Sequence, residues 1–310
     1  MTDRHLLENT PSPTYNAGVM TDPMCFISRR FEAIAIVGVG LIGGSIALAA
    51  KERRICDLVL GVGRDDQRLG QAGIQGIIDH GYTDLRKAAK RADLIIFCTP
   101  VDRIVAGVRE AAQACKPGTI ITDVGSVKGP ICRDLASGLP TGVEFVGSHP
   151  LAGSEKQGFE NAKRYLFENR VCVVTPTELS SRLAVGRVSE FWQGLGGKTV
   201  EMTPAAHDTA LACTSHLPHL AAAALARTLT AEEYPLTATG FRDTTRVASG
   251  DPDLWTGILL ANRDAILAGL GRYEQTLDQF RAALEQNDAQ SLKELLVAAK
   301  IAREGCGGPR

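Results

Sequence analysis

The stretch Ala33-Ile34-Ala35-Ile36-Val37-Gly38-Val39-Gly40-Leu41-Ile42-Gly43-Gly44-Ser45 constrains the fold more than any other part of the chain. A run of strand-forming apolar residues enters Gly-x-Gly-x-x-Gly and leaves as the helical pattern Ser45-Ile46-Ala47-Leu48-Ala49-Ala50. Each glycine has a physical reason to be there. Gly38 permits a tight turn after the strand. Gly40 has no β-carbon, so an anionic group can approach the backbone. Gly43 lets the helix pack close to the sheet, with its N-terminal N–H groups aimed at that anion.

These features fit the phosphate turn of a Rossmann-type dinucleotide site. A glycine-rich turn that binds nothing is the competing reading, and the legible strand and helix on its flanks argue against it. Leu41 and Ile42, between the glycines, join the expected cofactor-binding set, as do Thr99 and Pro100 at the end of a later strand. In NAD sites an acid about 20 residues past the turn hydrogen-bonds the ribose hydroxyls. Gly63 and Arg64 stand there instead. A carboxylate would repel a 2′-phosphate, whereas a guanidinium would pair with one. NADP is therefore favoured over NAD, although Asp65 or Asp66 would restore an acid after a one-residue shift.

Further apolar runs follow: Leu58 to Val62, Asp93 to Pro100, Thr119 to Asp123, Val143 to Val146 and Arg170 to Thr175. Separated by helical stretches, they predict a parallel sheet covered on both faces, with Lys198 to Met202 as a further edge strand. From Thr203 the chain turns alanine- and leucine-rich with helical spacing. Helices are expected over Ala205 to Leu229 (bent at Pro218), Thr237 to Ala248, Asp253 to Gln286 (broken near Gly269 and Gly271) and Ala289 to Arg303. The expectation is an α/β dinucleotide-binding domain over 31–202 and an all-α domain over 203–310. Residues 1–30 are rich in turn formers and show no period, which marks a leader without fixed order.

The chain has 310 residues, a net charge of −1 and eight cysteines. No basic stripe appears, which argues against nucleic acid and anionic membranes as partners. No apolar run reaches the ~18 residues of a membrane span. The cysteines are scattered without a Cys-x-x-Cys pair, as expected of a reduced, cytoplasmic protein.

Three segments stand where they could reach a cofactor: Asp123-Val124-Gly125-Ser126-Val127-Lys128 after the fourth strand, Gly147-Ser148-His149-Pro150-Leu151-Ala152-Gly153-Ser154-Glu155 in the loop after the fifth, and Thr214-Ser215-His216-Leu217-Pro218-His219 on the bent helix. His216 and His219 share a helix face. No third metal ligand lies at useful spacing, His207 and Asp208 being about two turns away, so no metal is expected.

With the glycine turn, these motifs and Gly240-Phe241-Arg242-Asp243-Thr244-Thr245-Arg246-Val247-Ala248 followed by Asp251-Pro252-Asp253-Leu254-Trp255 resemble the prephenate/arogenate dehydrogenase family, from Phe31 to about Arg303. The resemblance implies oxidative decarboxylation of prephenate or arogenate to 4-hydroxyphenylpyruvate or tyrosine, in tyrosine biosynthesis. A neutral imidazole suits withdrawal of the ring hydroxyl proton near neutral pH. The resemblance assigns that role to His149, with Ser126 hydrogen-bonding it and touching the nicotinamide. It makes Arg246 the clamp on a substrate carboxylate, since a guanidinium grips carboxylates bidentately. A surface arginine paired to Asp243 is the alternative. His216 and His219 are placed beside the substrate, Trp255 along its wall and across a subunit boundary, and Ser154 and Glu155 on a loop that gates the pocket. The helical domain is expected to form a homodimer. No regulatory domain is recognised, so inhibition by tyrosine, if any, is expected at the active site. Rival readings are an NADP-dependent 3-hydroxyacid dehydrogenase, which would not require Ser-His-Pro-Leu-Ala-Gly, and a nicotinamide dinucleotide sensor without turnover.

Overall fold

The computed structural model describes residues 30–154 and 156–306. The leader expected over residues 1–30 lies outside this range except for Arg30, and so does Glu155. Strand β1 (Phe31–Val37) is an unbroken apolar run because both its faces are buried. Ile34 and Ile36 point into one core cluster; Ala33, Ala35 and Val37 point into the other. There follow α1 (Leu41–Glu52), β2 (Cys56–Val62), α2 (Asp66–Ile74), β3 (His80–Tyr82), α3 (Leu85–Ala89), β4 (Leu94–Phe97), α4 (Val101–Ala112), β5 (Ile120–Asp123), α5 (Gly129–Asp134) and β6 (Glu144–Phe145). The six strands pair in parallel in the order β3-β2-β1-β4-β5-β6. The order reverses between β1 and β4, which opens a ligand crevice at the carboxyl ends of the strands. Strand β3 gave no signal in the sequence: as a short edge strand with no buried residue, it carries no apolar run.

The chain then leaves this sheet. Strands β7 (Gly147–Pro150) and β8 (Val171–Thr175), helix α6 (Arg182–Gly194) and strand β9 (Lys198–Glu201) follow. This corrects two expectations. The runs near residues 170 and 198 do not extend the parallel sheet; they form a second sheet, β7-β8-β9, with β7 antiparallel to β8. The segment carrying His149, expected as a loop, is itself strand β7. An apolar run buried on both faces reads alike in either sheet, so periodicity could not separate them. The junction is made by Ser148, whose N–H donates to Asp123 Oδ1 at 3.2 Å and whose hydroxyl donates to the Asp123 carbonyl at 2.6 Å. Trp192 on α6 donates its indole N–H to the same hydroxyl at 2.9 Å.

Only helices follow. The expected single bent helix is α7 (Pro204–Leu211), capped by Thr203, then a π turn at Ala212–His216, then α8 (Leu217–Ala226). Pro218 has no N–H to offer the preceding turn, and the helix accommodates this by widening before it. Helix α9 (Thr239–Thr245) ends in a 3-10 turn at Arg246–Ser249, followed by α10 (Pro252–Ala261), α11 (Arg263–Glu285) and α12 (Ala289–Gly305). The expected break near Gly269 and Gly271 is corrected as well: both lie inside α11, and the interruption is at Asn262. The Asn262 side chain is drawn inward to the Asp208 carbonyl and to His216, and its backbone leaves helical geometry. Among the described residues no helix is long and apolar enough to cross a membrane.

Candidate active site

The glycine turn forms one wall of the crevice. Gly38 has φ +99°, and a β-carbon there would lie 2.7 Å from the Cys98 carbonyl oxygen. At Gly43 a β-carbon would come within 2.2 Å of the Gly38 carbonyl oxygen, so helix and strand meet at a distance only glycine allows. At Gly40 the same construction meets open space. No side chain caps α1 at Gly40, which leaves the first-turn N–H groups of Leu41, Ile42 and Gly43 directed at that space. Thr99 stands against Gly38, and its hydroxyl is buried without a partner among the described residues. Pro100 begins α4 beside it. An uncapped helix end, an open approach and an orphaned hydroxyl fit the pyrophosphate and ribose of a dinucleotide.

Beyond the turn, Val39, Gly63, Arg64, Asp65, Arg68 and Leu69 line a cavity of about 460 Å³. Asp65 is already engaged as the cap of α2, accepting from the Arg68 N–H at 3.1 Å. Arg68, which sequence reasoning missed, lies over the Phe159 ring at 4.9 Å and pairs with Glu160 at 2.9 Å. Arg64 is exposed at the rim.

His149 on β7 is 9% exposed. Its Nδ1 lies 2.9 Å from His207 Nε2 on α7. The His207 Nδ1 in turn lies 2.8 Å from Asp208 Oδ1. Asp208 also accepts the backbone N–H groups of Lys128 and Gly129, each at 2.7 Å. The partner of the His149 ring is thus His207; Ser126, expected there, makes no hydrogen bond to it. Burial, reinforced by the Lys128 ammonium, holds His149 well below the ordinary imidazole range. The ring is neutral at physiological pH, and its Nε2 makes no hydrogen bond among the described residues.

His216 closes the π turn, fully buried. Asn262 Nδ2 donates to the Asp208 carbonyl at 2.8 Å, which fixes the amide's orientation, and faces His216 Nδ1 at 3.1 Å. His216 Nδ1 is therefore an acceptor, and the ring hydrogen sits on Nε2, which has no hydrogen-bond partner among the described residues. Burial pushes His216 down to about 4 against the pull of Asp208, so this ring too is neutral. The Ser126 backbone lies beside it. His219 stacks on Trp255 of its own chain at 3.6 Å and 10°, and its buried Nδ1 has no hydrogen-bond partner among the described residues. Trp255 also meets His216 edge-on at 6.3 Å. The two histidines thus turn to different neighbours. Arg246 begins the exposed 3-10 turn whose Val247 backbone faces His219. Ser154 is exposed, and its loop is tied to the cap of α10 by Gln157 Nε2 donating to Asp251 at 2.7 Å.

The structure thus brings His149, His216, His219 and Trp255 together through His207 and Asp208, which the sequence raised only as metal ligands and set aside, and through Asn262, which it did not single out. The available signal was Thr203-Pro204, which fixes a helix start and puts His207 at the end of its first turn and Asp208 at the start of its second. A phosphate turn on a parallel sheet, an adjoining helical domain and a neutral histidine between them define a two-domain nicotinamide dinucleotide-dependent dehydrogenase. Family models for the nucleotide-binding domain and the dimerization domain of prephenate dehydrogenase match residues 46–201 and 203–298. The chain is 37% identical over 286 residues to a prephenate dehydrogenase of Bacillus subtilis, spanning 90% of this chain and 77% of that protein. It is 34% identical over 280 residues to a cyclohexadienyl dehydrogenase of Zymomonas mobilis, spanning 88% and 95%. Its structure matches A. aeolicus prephenate dehydrogenase in complex with hydroxyphenyl propionate and NAD+ at a TM-score of 0.84 and 31% identity, covering 91% of this chain and 100% of that one. The chain belongs to the prephenate dehydrogenase family.

Proposed function

We propose that this chain oxidatively decarboxylates prephenate, or its amino counterpart arogenate, in tyrosine biosynthesis, with NADP as the favoured hydride acceptor. The observation that carries the reading is the neutral His149, its Nε2 uncommitted, between the phosphate turn and the pocket of His216, His219 and Trp255. A nicotinamide ring, when bound, supplies the hydride acceptor. His149 Nε2 withdraws the proton of the ring hydroxyl as hydride leaves the carbon that bears it. The bond to the ring carboxylate then breaks, its electron pair completes the aromatic ring, and carbon dioxide departs. His149 returns the proton to the phenolate oxygen, so no net proton is consumed.

His216 offers an Nε2–H to a substrate oxygen, and Trp255 with His219 forms an apolar wall for the ring. Arg246, at the exposed mouth, grips the side-chain carboxylate, with Ser154 and Glu155 on the covering loop and Ser126 on the nicotinamide side. Two features support NADP: Gly63 offers no carboxylate to the ribose, and Arg64 and Arg68 both line the adjoining cavity. Leu260, Leu267 and Leu296 leave apolar surface exposed on α10, α11 and α12, which supports a homodimer through the helical domain. Initial rates over prephenate and arogenate, each with NAD+ and NADP+, test the reading. Turnover of one of these substrates, fastest with NADP+, is expected; turnover of neither would overturn it.

A further inference from the structure

We propose that Asp208 and His207 act as positioning residues that hold His149 in the Nδ1–H tautomer and so leave its Nε2 as the proton acceptor. The inference rests on the reading of His149 as the base, and it goes beyond it by saying what makes that nitrogen basic. Asp208 accepts two backbone N–H groups, from Lys128 and Gly129, so its carboxylate is held as an acceptor. The ring nitrogen facing Asp208 Oδ1, His207 Nδ1, must therefore donate. A neutral His207 has only one N–H, so its Nε2 presents a lone pair. His149 Nδ1, 2.9 Å from that lone pair, must in turn carry hydrogen. Nε2 is left bare, with no hydrogen-bond partner among the described residues.

The competing arrangement is a cationic His207 donating from both nitrogens. His149 would then carry its hydrogen on Nε2 and would be no base. The charged groups around the rings oppose it. The Lys128 ammonium sits close by, paired with Asp123, and His216 is neutral. The backbone of His149 faces Cys172 of β8, whose thiol burial keeps protonated. Asp208 alone favours the cation, and its carboxylate is already shared with two backbone N–H groups. Burial of both rings disfavours a charge without a second anion.

The same relay serves the reaction. When His149 takes a proton it becomes a buried imidazolium, and Asp208 stabilises it through the intervening ring. Asn262 ties the Asp208 backbone carbonyl to His216, so the base and the proposed substrate donor are fixed to one helix start.

The test has two arms. In full-length protein with ¹⁵N-labelled histidine, the two-bond nitrogen spectrum of His149 is expected to show hydrogen on Nδ1 and none on Nε2. Hydrogen on Nε2, or an average of the two, overturns the proposal whatever the activity. The second arm pairs His207→Gln with His207→Asn. Glutamine puts an amide oxygen near the place of Nε2 and still accepts from His149; asparagine keeps the contact to Asp208 and leaves His149 Nδ1 unpartnered. Turnover is expected to fall by less than about 10-fold for glutamine and by about 100-fold or more for asparagine, with KM and dinucleotide affinity near wild type in both. Equal losses, or none, would overturn the relay. Unchanged turnover in His149→Asn would instead remove the base assignment while leaving the tautomer result standing.

Discussion

Two buried polar clusters meet at β7, and they differ in how completely they are closed. One joins Asp123, Lys128, Ser148, Thr122 and Trp192, every one fully buried, with no side-chain nitrogen or oxygen left unpartnered. Lys128 Nζ is held by Asp123 Oδ2 and by the Ser148 carbonyl, and Thr122 meets Ser148 at 2.8 Å. The other joins His149, His207, Asp208, Asn262 and His216. It ends on ring nitrogens without a hydrogen-bond partner among the described residues: Nε2 of His216, and Nε2 of His149. A closed cluster locks two sheets together, because every buried polar group has its partner. An open cluster keeps acceptor and donor sites for something that arrives later. The positions differ by a single residue along β7: Ser148 faces the joint and His149 the crevice, as alternation along a strand requires.

The sharpest way to break the comparison is Lys128→Met, which leaves the Asp123 carboxylate buried without its cation. A loss of about 3–5 kcal/mol in chemical denaturation is expected, and a loss below about 1 kcal/mol would show that the joint is not closed by that pair. His149→Asn acts at the open cluster, so it should spare stability and lower kcat by on the order of 10²–10³-fold, with dinucleotide affinity nearly unchanged. Because the folded ring is held below its ordinary range, the neutral, active form persists as pH falls through about 6.5. The acid limb of kcat/KM should therefore lie below that pH, and a limb above it would contradict the burial argument. Arg246→Lys touches an exposed grip in competition with water. It should raise KM for the substrate about 10-fold and leave kcat within about 2-fold. Smallest is Arg64→Ser, at the most open edge: kcat/KM with NADP+ should drop about 5-fold while the value with NAD+ hardly moves. A matching drop with NAD+ would deny Arg64 any part in discrimination.

Much of the first cluster's surroundings was legible, and little of the second. The glycine turn could be read because strand, turn and helix are consecutive, and their geometry follows from local sterics. His149, His216 and Trp255 could be singled out by motif. Their partners could not. His207 is 58 residues from His149 in sequence, and Asn262 is 46 from His216. No local pattern marks a pair that meets only after two sheets and a helix have packed. The same limit explains the misplaced strands: Val171–Thr175 has the right composition for either sheet. It also explains the break at Asn262, where a tertiary hydrogen bond overrides the glycines that looked like the weak point.

By itself the sequence determined the dinucleotide turn, the division into a sheet-bearing part and a helical part, and the residue types a hydride-transferring site requires. Only the tertiary structure decided which nitrogen of His149 is free and which residues hold it there. The physical reason is one of range. Backbone sterics and side-chain periodicity act over a few neighbours, whereas the tautomer of a buried ring is set by donors and acceptors that folding brings together from distant parts of the chain.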